Sequence, residues 1–199
     1  MIPQELHDGG CDMKPGPFFL RREDSALVVI DIQEKLVAAM KEKVIERMIA
    51  NTVILVETAK EFGLPIVVSE QYRKGLGTTV PAVAESLGDV EILEKLFFDC
   101  TRDEALEARI AATGRKSVIL AGIEAHVCVF QTALSLMEKG WRVVVASDAT
   151  ASRRKHDWKF ALRTLDRAGV AIYPTETISF MLLERAGTPE FKRLAPLFK

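Results

Sequence analysis

Short apolar runs rich in β-branched residues recur along this chain with helically patterned stretches between them, and this alternation restricts its fold more than any other feature. ALVVI at 26–30, PIVVS at 65–69, SVILA at 117–121, WRVVVAS at 141–147 and VAIYP at 170–174 read as strands. Residues 91–98 read as a further strand or an edge segment. Helical periodicity covers 44–62, 80–87 and 101–113, follows Cys128, returns after the 147–153 loop, and closes over 175–184. A helix between successive strands makes hairpins unavailable, so the pattern predicts an α/β protein: an open, mostly parallel β-sheet flanked by helices on both faces. Residues 1–22, rich in glycine, proline and polar groups, read as an N-terminal arm that is mobile or packed on another subunit. Residues 23–199 read as a single domain.

Composition narrows the function classes. With 199 residues, 48% of them hydrophobic, the chain can fill one substantial core. A formal charge of -1 supplies no field for nucleic acid or an anionic membrane. No window approaches the ~18 continuous apolar residues of a spanning helix. Cys11, Cys100 and Cys128 form no CxxC pair and cannot all pair within one chain, which suits a reducing compartment. The N-terminal residues Glu5, His7 and Asp8 stand where a secretory signal has a basic segment and an apolar stretch, so the expected location is cytoplasmic. GLGTTV from Gly75 lacks the third glycine of a dinucleotide fingerprint, and the RRK run at 153–155 is short and has no stacking aromatics beside it.

Three residues carry the candidate chemistry. Cys128 falls where the 117–121 strand gives way to an amphipathic helix, with Gly122 permitting the turn. Unpaired NH groups and the positive end of the helix dipole there are expected to lower its pKa. The 26–30 run ends abruptly in Asp31, and ligands of open parallel sheets gather at the carboxyl ends of strands, so Asp31 and Cys128 are expected on one sheet edge. A carboxylate beside a thiol accepts its proton. Lys95, set among Leu93, Leu96, Phe97 and Phe98, is placed to balance their charges. Each residue also has a structural alternative: Cys128 as a small buried hydrophobe, Asp31 as a helix cap, Lys95 as a surface side chain.

IDIQ from Ile30, the isolated Lys95, LAGIEAHVCV from Leu120 and SEQYRKGLGTTVPAV at 69–83 together resemble the isochorismatase-like cysteine hydrolases over about residues 24–182, and most of all the isochorismatase domain-containing branch. The resemblance implies a Rossmann-like three-layer fold and an Asp31-Lys95-Cys128 triad. It further implies a cis peptide between Ile123 and Glu124, and an oxyanion hole from the backbone NH groups of Glu124 and Cys128. The implied reaction is hydrolysis of a small amide C–N bond through a Cys128 thioester. Vinyl-ether hydrolysis of an isochorismate-like substrate and a non-catalytic scaffold are the alternatives. Gln33, Gln71, Tyr72, Phe98 and His126 are the candidate pocket residues.

Nicotinamidase-type relatives hold a metal through an Asp-x-His segment and a further histidine after the second strand; Glu70 and Tyr72 stand there in this chain. No metal and no cofactor are therefore expected. Asp99 also departs from the small neutral residue of close relatives. Apolar residues in excess of one sheet layer, Val127, Val129, Phe130 and Leu134 with 178–183 and Phe18, Phe19 and Leu20, predict a homo-oligomer, as the resemblance does. A small molecule is the expected partner.

Overall fold

Every residue of the first strand, β1 (Ser25–Ile30), is buried, and its side chains alternate between two cores. Leu27 and Val29 enter one, Val28 and Ile30 the other, as a strand covered on both faces requires. The computed structural model describes residues 18–198. After β1 come α1 (Glu34–Ala38), α2 (Glu42–Glu61), β2 (Ile66–Gln71), α3 (Arg73–Leu76), α4 (Pro81–Leu87) and β3 (Ile92–Lys95). The chain continues through α5 (Glu104–Ala112), β4 (Ser117–Ile123), α6 (Phe130–Glu138), β5 (Arg142–Ala151), α7 (Lys155–Ala168) and β6 (Ala171–Tyr173). Helices α8 (Thr175–Leu183) and α9 (Pro189–Leu194) follow.

All strand pairs are parallel, in the order β3-β2-β1-β4-β5-β6. One face of the sheet is covered by α2, α4 and α8 through Met48, Leu55, Val83, Ile178 and Leu182. The opposite face is covered by α5, α6 and α7 through Leu106, Ile110, Leu136 and Leu165. The predicted α/β class and two-sided helical cover are thus the observed ones. The chain runs outward from β1 to β3, then returns to lay β4 beside β1. This reversal opens a crevice at the carboxyl ends of β1 and β4, where the connections leave for opposite faces.

Two features differ from the sequence reading. Strand β5 runs on to Ala151 rather than stopping at Ser147, because the register shifts between Leu120 and Gly122: Leu120 pairs with Val145, but Gly122 pairs with Thr150. The bulge inserts residues into β5 while keeping its end in the sheet. Of the expected arm, residues 1–17 lie outside the described residues, and 18–22 pack on this chain itself. Leu20 is in the core, the Phe18 NH donates to the Tyr173 hydroxyl at 2.9 Å, and Arg22 donates to the Leu182 and Leu183 carbonyls.

At the crevice Gly122 is in register with Ile30 and has φ +126. A Cβ on Gly122 would collide with the Ile30 carbonyl oxygen and lie 2.7 Å from the Ile30 nitrogen and carbonyl carbon. Gly63 also has positive φ, +64, but its Cβ direction is open. Gly122→Ala is therefore expected to lose about 3 kcal/mol or more of unfolding free energy, and Gly63→Ala only about 1 to 2. Urea denaturation of the two variants checks this; equal losses would show that the β1–β4 approach is not the constraint.

Candidate active site

The apolar run of β1 stops at Asp31, which turns the chain out of the sheet with φ +53. Short polar side chains tolerate this left-handed region best, and backbone bonds hold it: Asp31 NH to the Ser69 carbonyl at 3.0 Å and Gln33 NH to the Asp31 carbonyl at 2.8 Å. The carboxylate has no solvent exposure. Its Oδ1 accepts from Ser69 Oγ at 2.7 Å and its Oδ2 from Lys95 Nζ at 2.6 Å.

Lys95 ends the edge strand β3, yet its side chain points inward and is fully buried. Its second partner is Gln71 Oε1 at 2.7 Å, and Gln71 Nε2 donates to the Leu96 carbonyl. Burial is the largest single influence and opposes the ammonium charge, but the Asp31 carboxylate together with the neighbouring cysteines outweighs it and holds the Lys95 pKa above its ordinary value.

Cys128 sits in a wide turn, Ala125–Val129, that precedes α6 and contains the Val129 NH to Glu124 carbonyl bond. Its residue is 5% exposed. The Asp31 carboxylate stands near enough for its charge to act on the thiol. Contrary to the sequence expectation, the Cys128 pKa is not lowered. Burial first, and the Asp31 charge second, push it far up, with Lys95 opposing. The thiol holds its proton more tightly than a free cysteine, and the Asp31 carboxylate whose charge contributes to this lies at the same crevice. Three residues from three strand ends therefore meet at the crevice, and the Ile123–Glu124 peptide beside them is cis.

A second thiol was not singled out from sequence as part of this cluster. Cys100 Sγ lies 3.7 Å from Ser69 Oγ, and the Cys100 NH donates to Thr132 Oγ1 at 3.0 Å. Burial pushes its pKa up to about 11, although Lys95 pulls against it. Ser69 was missed as well. Its signal was position: it faces Asp31 across the β1–β2 pairing, in register with Ile30.

The candidate pocket residues separate into several roles. Gln33 is fully buried, and its carboxamide is spent on the Gln71 NH and carbonyl and on the Gly77 carbonyl, so it braces a loop instead of lining a pocket. Gln71 contacts Lys95 and belongs to the cluster. Tyr72, with φ +37, is exposed directly after β2, and Phe98 is exposed beyond β3. His126 is half-buried and shares a 3.0 Å hydrogen bond with Ser152 Oγ, across the turn from Asp31 and Lys95.

Three further buried carboxylates are committed elsewhere. Glu70 Oε1 accepts from the Thr79 NH and hydroxyl and Oε2 from Arg73, and these bonds outweigh burial and lower its pKa. It clamps the 71–79 loop with both oxygens. Asp99 accepts from the Thr101 NH and Ser135 Oγ, tying a turn to α6. Glu124 accepts from the Arg153 NH and guanidinium. No group of three or more histidine, cysteine, aspartate or glutamate side chains suited to a metal occurs among the described residues.

Fold and site define an α/β protein with a thiol, a carboxylate and an ammonium gathered at a topological switch point. The isochorismatase domain family model matches residues 25–177, and the chain belongs to that family. A secreted isochorismatase effector, Isc1, of Phytophthora sojae is 37% identical over 180 residues, 88% of this chain and 84% of the relative. A Caenorhabditis elegans structure described as MAR1 ribonuclease superposes with TM-score 0.83 at 35% identity, covering 90% of this chain and 92% of that one. The YcaC protein of Escherichia coli, described as an octameric hydrolase of unknown specificity, gives TM-score 0.84 at 25% identity, with 92% and 90% covered.

The raised thiols make stability depend on alkaline pH. A group that binds its proton more tightly when folded stabilises the fold below its unfolded pKa and loses that contribution as pH rises toward its folded value. For Cys100 this window runs from 9.0 to about 11. Unfolding free energy is expected to fall across it by about 1.4 kcal/mol per pH unit per thiol, Cys128 and Lys95 acting in the same sense. Urea titrations at stepped pH should show a shallower fall for Cys100→Ala; identical slopes in the variant and the parent would contradict the assignment.

Proposed function

We propose that this chain is a cysteine hydrolase that cleaves the C–N bond of a small amide, with residues 23–199 acting as one catalytic domain. The observation that carries the reading is the buried Asp31 carboxylate, held by Lys95 and Ser69, whose charge acts on the Cys128 thiol at the same crevice. As Cys128 Sγ attacks the acyl carbon, Asp31 takes its proton. The oxyanion is received by the backbone NH groups of Glu124 and Cys128, each worth about 3 to 4 kcal/mol when well placed. The amine leaves with the proton from Asp31. Water then gives its proton to Asp31 while attacking the thioester, and Cys128 departs and recovers a proton. A carboxylate base suits a thiol whose resting pKa is raised, because no free thiolate has to accumulate before substrate binds. Vinyl-ether cleavage does not call for a nucleophile paired in this way.

No metal or cofactor takes part in this proposal, and the commitment of both Glu70 oxygens to Thr79 and Arg73 supports that. A formal charge of -1 favours a small-molecule substrate over nucleic acid. Among the described residues no helix is long and apolar enough to cross a membrane.

The homo-oligomer remains part of the reading. Of the residues the sequence indicated, Leu20, Val129, Ile178, Leu182 and Leu183 complete this chain's own core, while Phe19 and Phe180 stay exposed. A further exposed apolar group lies beyond β3, where Leu96, 70% exposed, Phe97 and Phe98 follow Lys95 directly. Patches of this kind mark interfaces. The octameric hydrolase of similar fold is consistent with an assembly, and this location would set a neighbouring copy beside the site.

Two experiments test the proposal. Intact-protein mass spectrometry after exposure to a panel of small amides should detect an acyl adduct that is absent in Cys128→Ala, with ammonia or amine released. Asp31→Asn should turn over about 10² to 10⁴ times more slowly. Turnover that survives Cys128→Ala would end the thioester reading. Light scattering should give a multiple of 22.1 kDa that Phe97→Lys reduces; a single chain mass at all micromolar concentrations would remove the oligomer.

A further inference from the structure

A cavity of about 620 Å³ opens at the carboxyl end of β5, one strand away from the crevice that holds Asp31 and Cys128. Its floor is buried and small: Thr150, Ala151 and Ser152. Val44 of α2 and the Trp158 ring of α7 add apolar sides, and the N-terminal turns of these helices of 20 and 14 residues bring Lys41, Lys43, Arg47 and Lys155 to the rim with Arg153.

The charge around the cavity is in positive excess. Among the described residues, none of Lys41, Lys43, Arg47 and Lys155 has a carboxylate within the 4.0 Å of an ion pair. The one carboxylate in the wall, Asp148, accepts from the Thr175 NH and hydroxyl through Oδ1 and sets a single negative charge against the cations. Arg153 is spent on Glu124. In a chain with formal charge -1, four converging free cations above a recessed floor concentrate anions at one point. The positive ends of α2 and α7 add to the same field.

The shape selects the kind of anion. A cavity of this size takes a small molecule, and a tryptophan face beside an aliphatic side chain favours a flat apolar body. A nucleic-acid strand calls for a cationic track with aromatic residues spaced along it, whereas these cations meet at one cavity with one aromatic ring. We propose that the cavity is a binding site for a small organic anion, a carboxylate or phosphate monoester on a flat apolar body, separate from the Cys128 site. Its occupant would lie behind the turn that carries Cys128. Ser152 bonds His126, and Arg153 holds Glu124 beside the cis peptide.

The chain has two tryptophans, so Trp141→Phe leaves Trp158 as the only reporter. Titration of this variant with phenyl phosphate, benzoate and inorganic phosphate is expected to change Trp158 emission saturably for the two aromatic anions and more weakly for inorganic phosphate. Arg47→Gln combined with Lys155→Gln should weaken the aromatic anions about tenfold, with added salt acting in the same direction. Cys128→Ala should leave affinity within about twofold, a result independent of whether Cys128 is a nucleophile. If the double variant melts early, Lys43→Gln and Lys155→Gln are read singly. Four outcomes overturn the proposal: no saturation by about 10 mM ligand; affinity unchanged by the charge variants; affinity lost in Cys128→Ala; or a single-stranded oligoribonucleotide that binds more tightly and displaces phenyl phosphate.

Discussion

The Asp31–Lys95 ion pair organises the site and the strand ends around it. Both side chains are without solvent exposure, and removing one partner of such a pair costs about 3 to 5 kcal/mol because the other charge stays buried. The pair joins the end of a central strand to the end of the edge strand, with β2 between them. That intervening strand supplies the remaining partners, Ser69 to Asp31 and Gln71 to Lys95. The left-handed turn at Asp31 and the Gln33–Gln71 bracket keep these groups in reach.

Four buried carboxylates lie near the carboxyl edge of the sheet, and their partners divide the labour among them. Glu70 clamps a loop, Asp99 caps a turn and ties it to α6, and Glu124 anchors the chain after β5. Of the four, Asp31 is the one that pairs with a buried ammonium and whose charge raises the Cys128 pKa. Each of the other three is satisfied by backbone NH, hydroxyl or guanidinium donors, leaving them little capacity for proton transfer or metal binding. The difference among these carboxylates lies in their partners.

The apolar surface follows a similar division. Residues that look surplus in sequence, such as Ile178, Leu182 and Leu183, cover the sheet face beneath α2 and α8. Part of the surplus that remains exposed, Leu96 to Phe98, follows the buried Lys95 directly. The cationic cavity is on the other side of the crevice, at β5, so apolar and charged surfaces flank the buried Asp31–Lys95 pair separately.

Local pattern determined the strands, the helices, the α/β class and the three residues that meet at the site. Apolar runs ending in Asp31 and before Cys128 are visible in one dimension, and burial on both faces leaves a continuous β-branched signature. The extension of β5 was not legible, because Asp148, Ala149 and Ala151 are weak strand formers and a register shift against β4 keeps them in the sheet. Nor were Ser69, Cys100 and the bracing role of Gln33, whose partners come from other strands. Helix-terminus reasoning predicted a lowered Cys128 pKa, but burial and the Asp31 charge raise it. A sequence determines which segments bury apolar area and where each strand stops. Strand order, side-chain pairing and the sign of a pKa shift depend on which distant charges and walls arrive at the same place, and only the tertiary structure decides that.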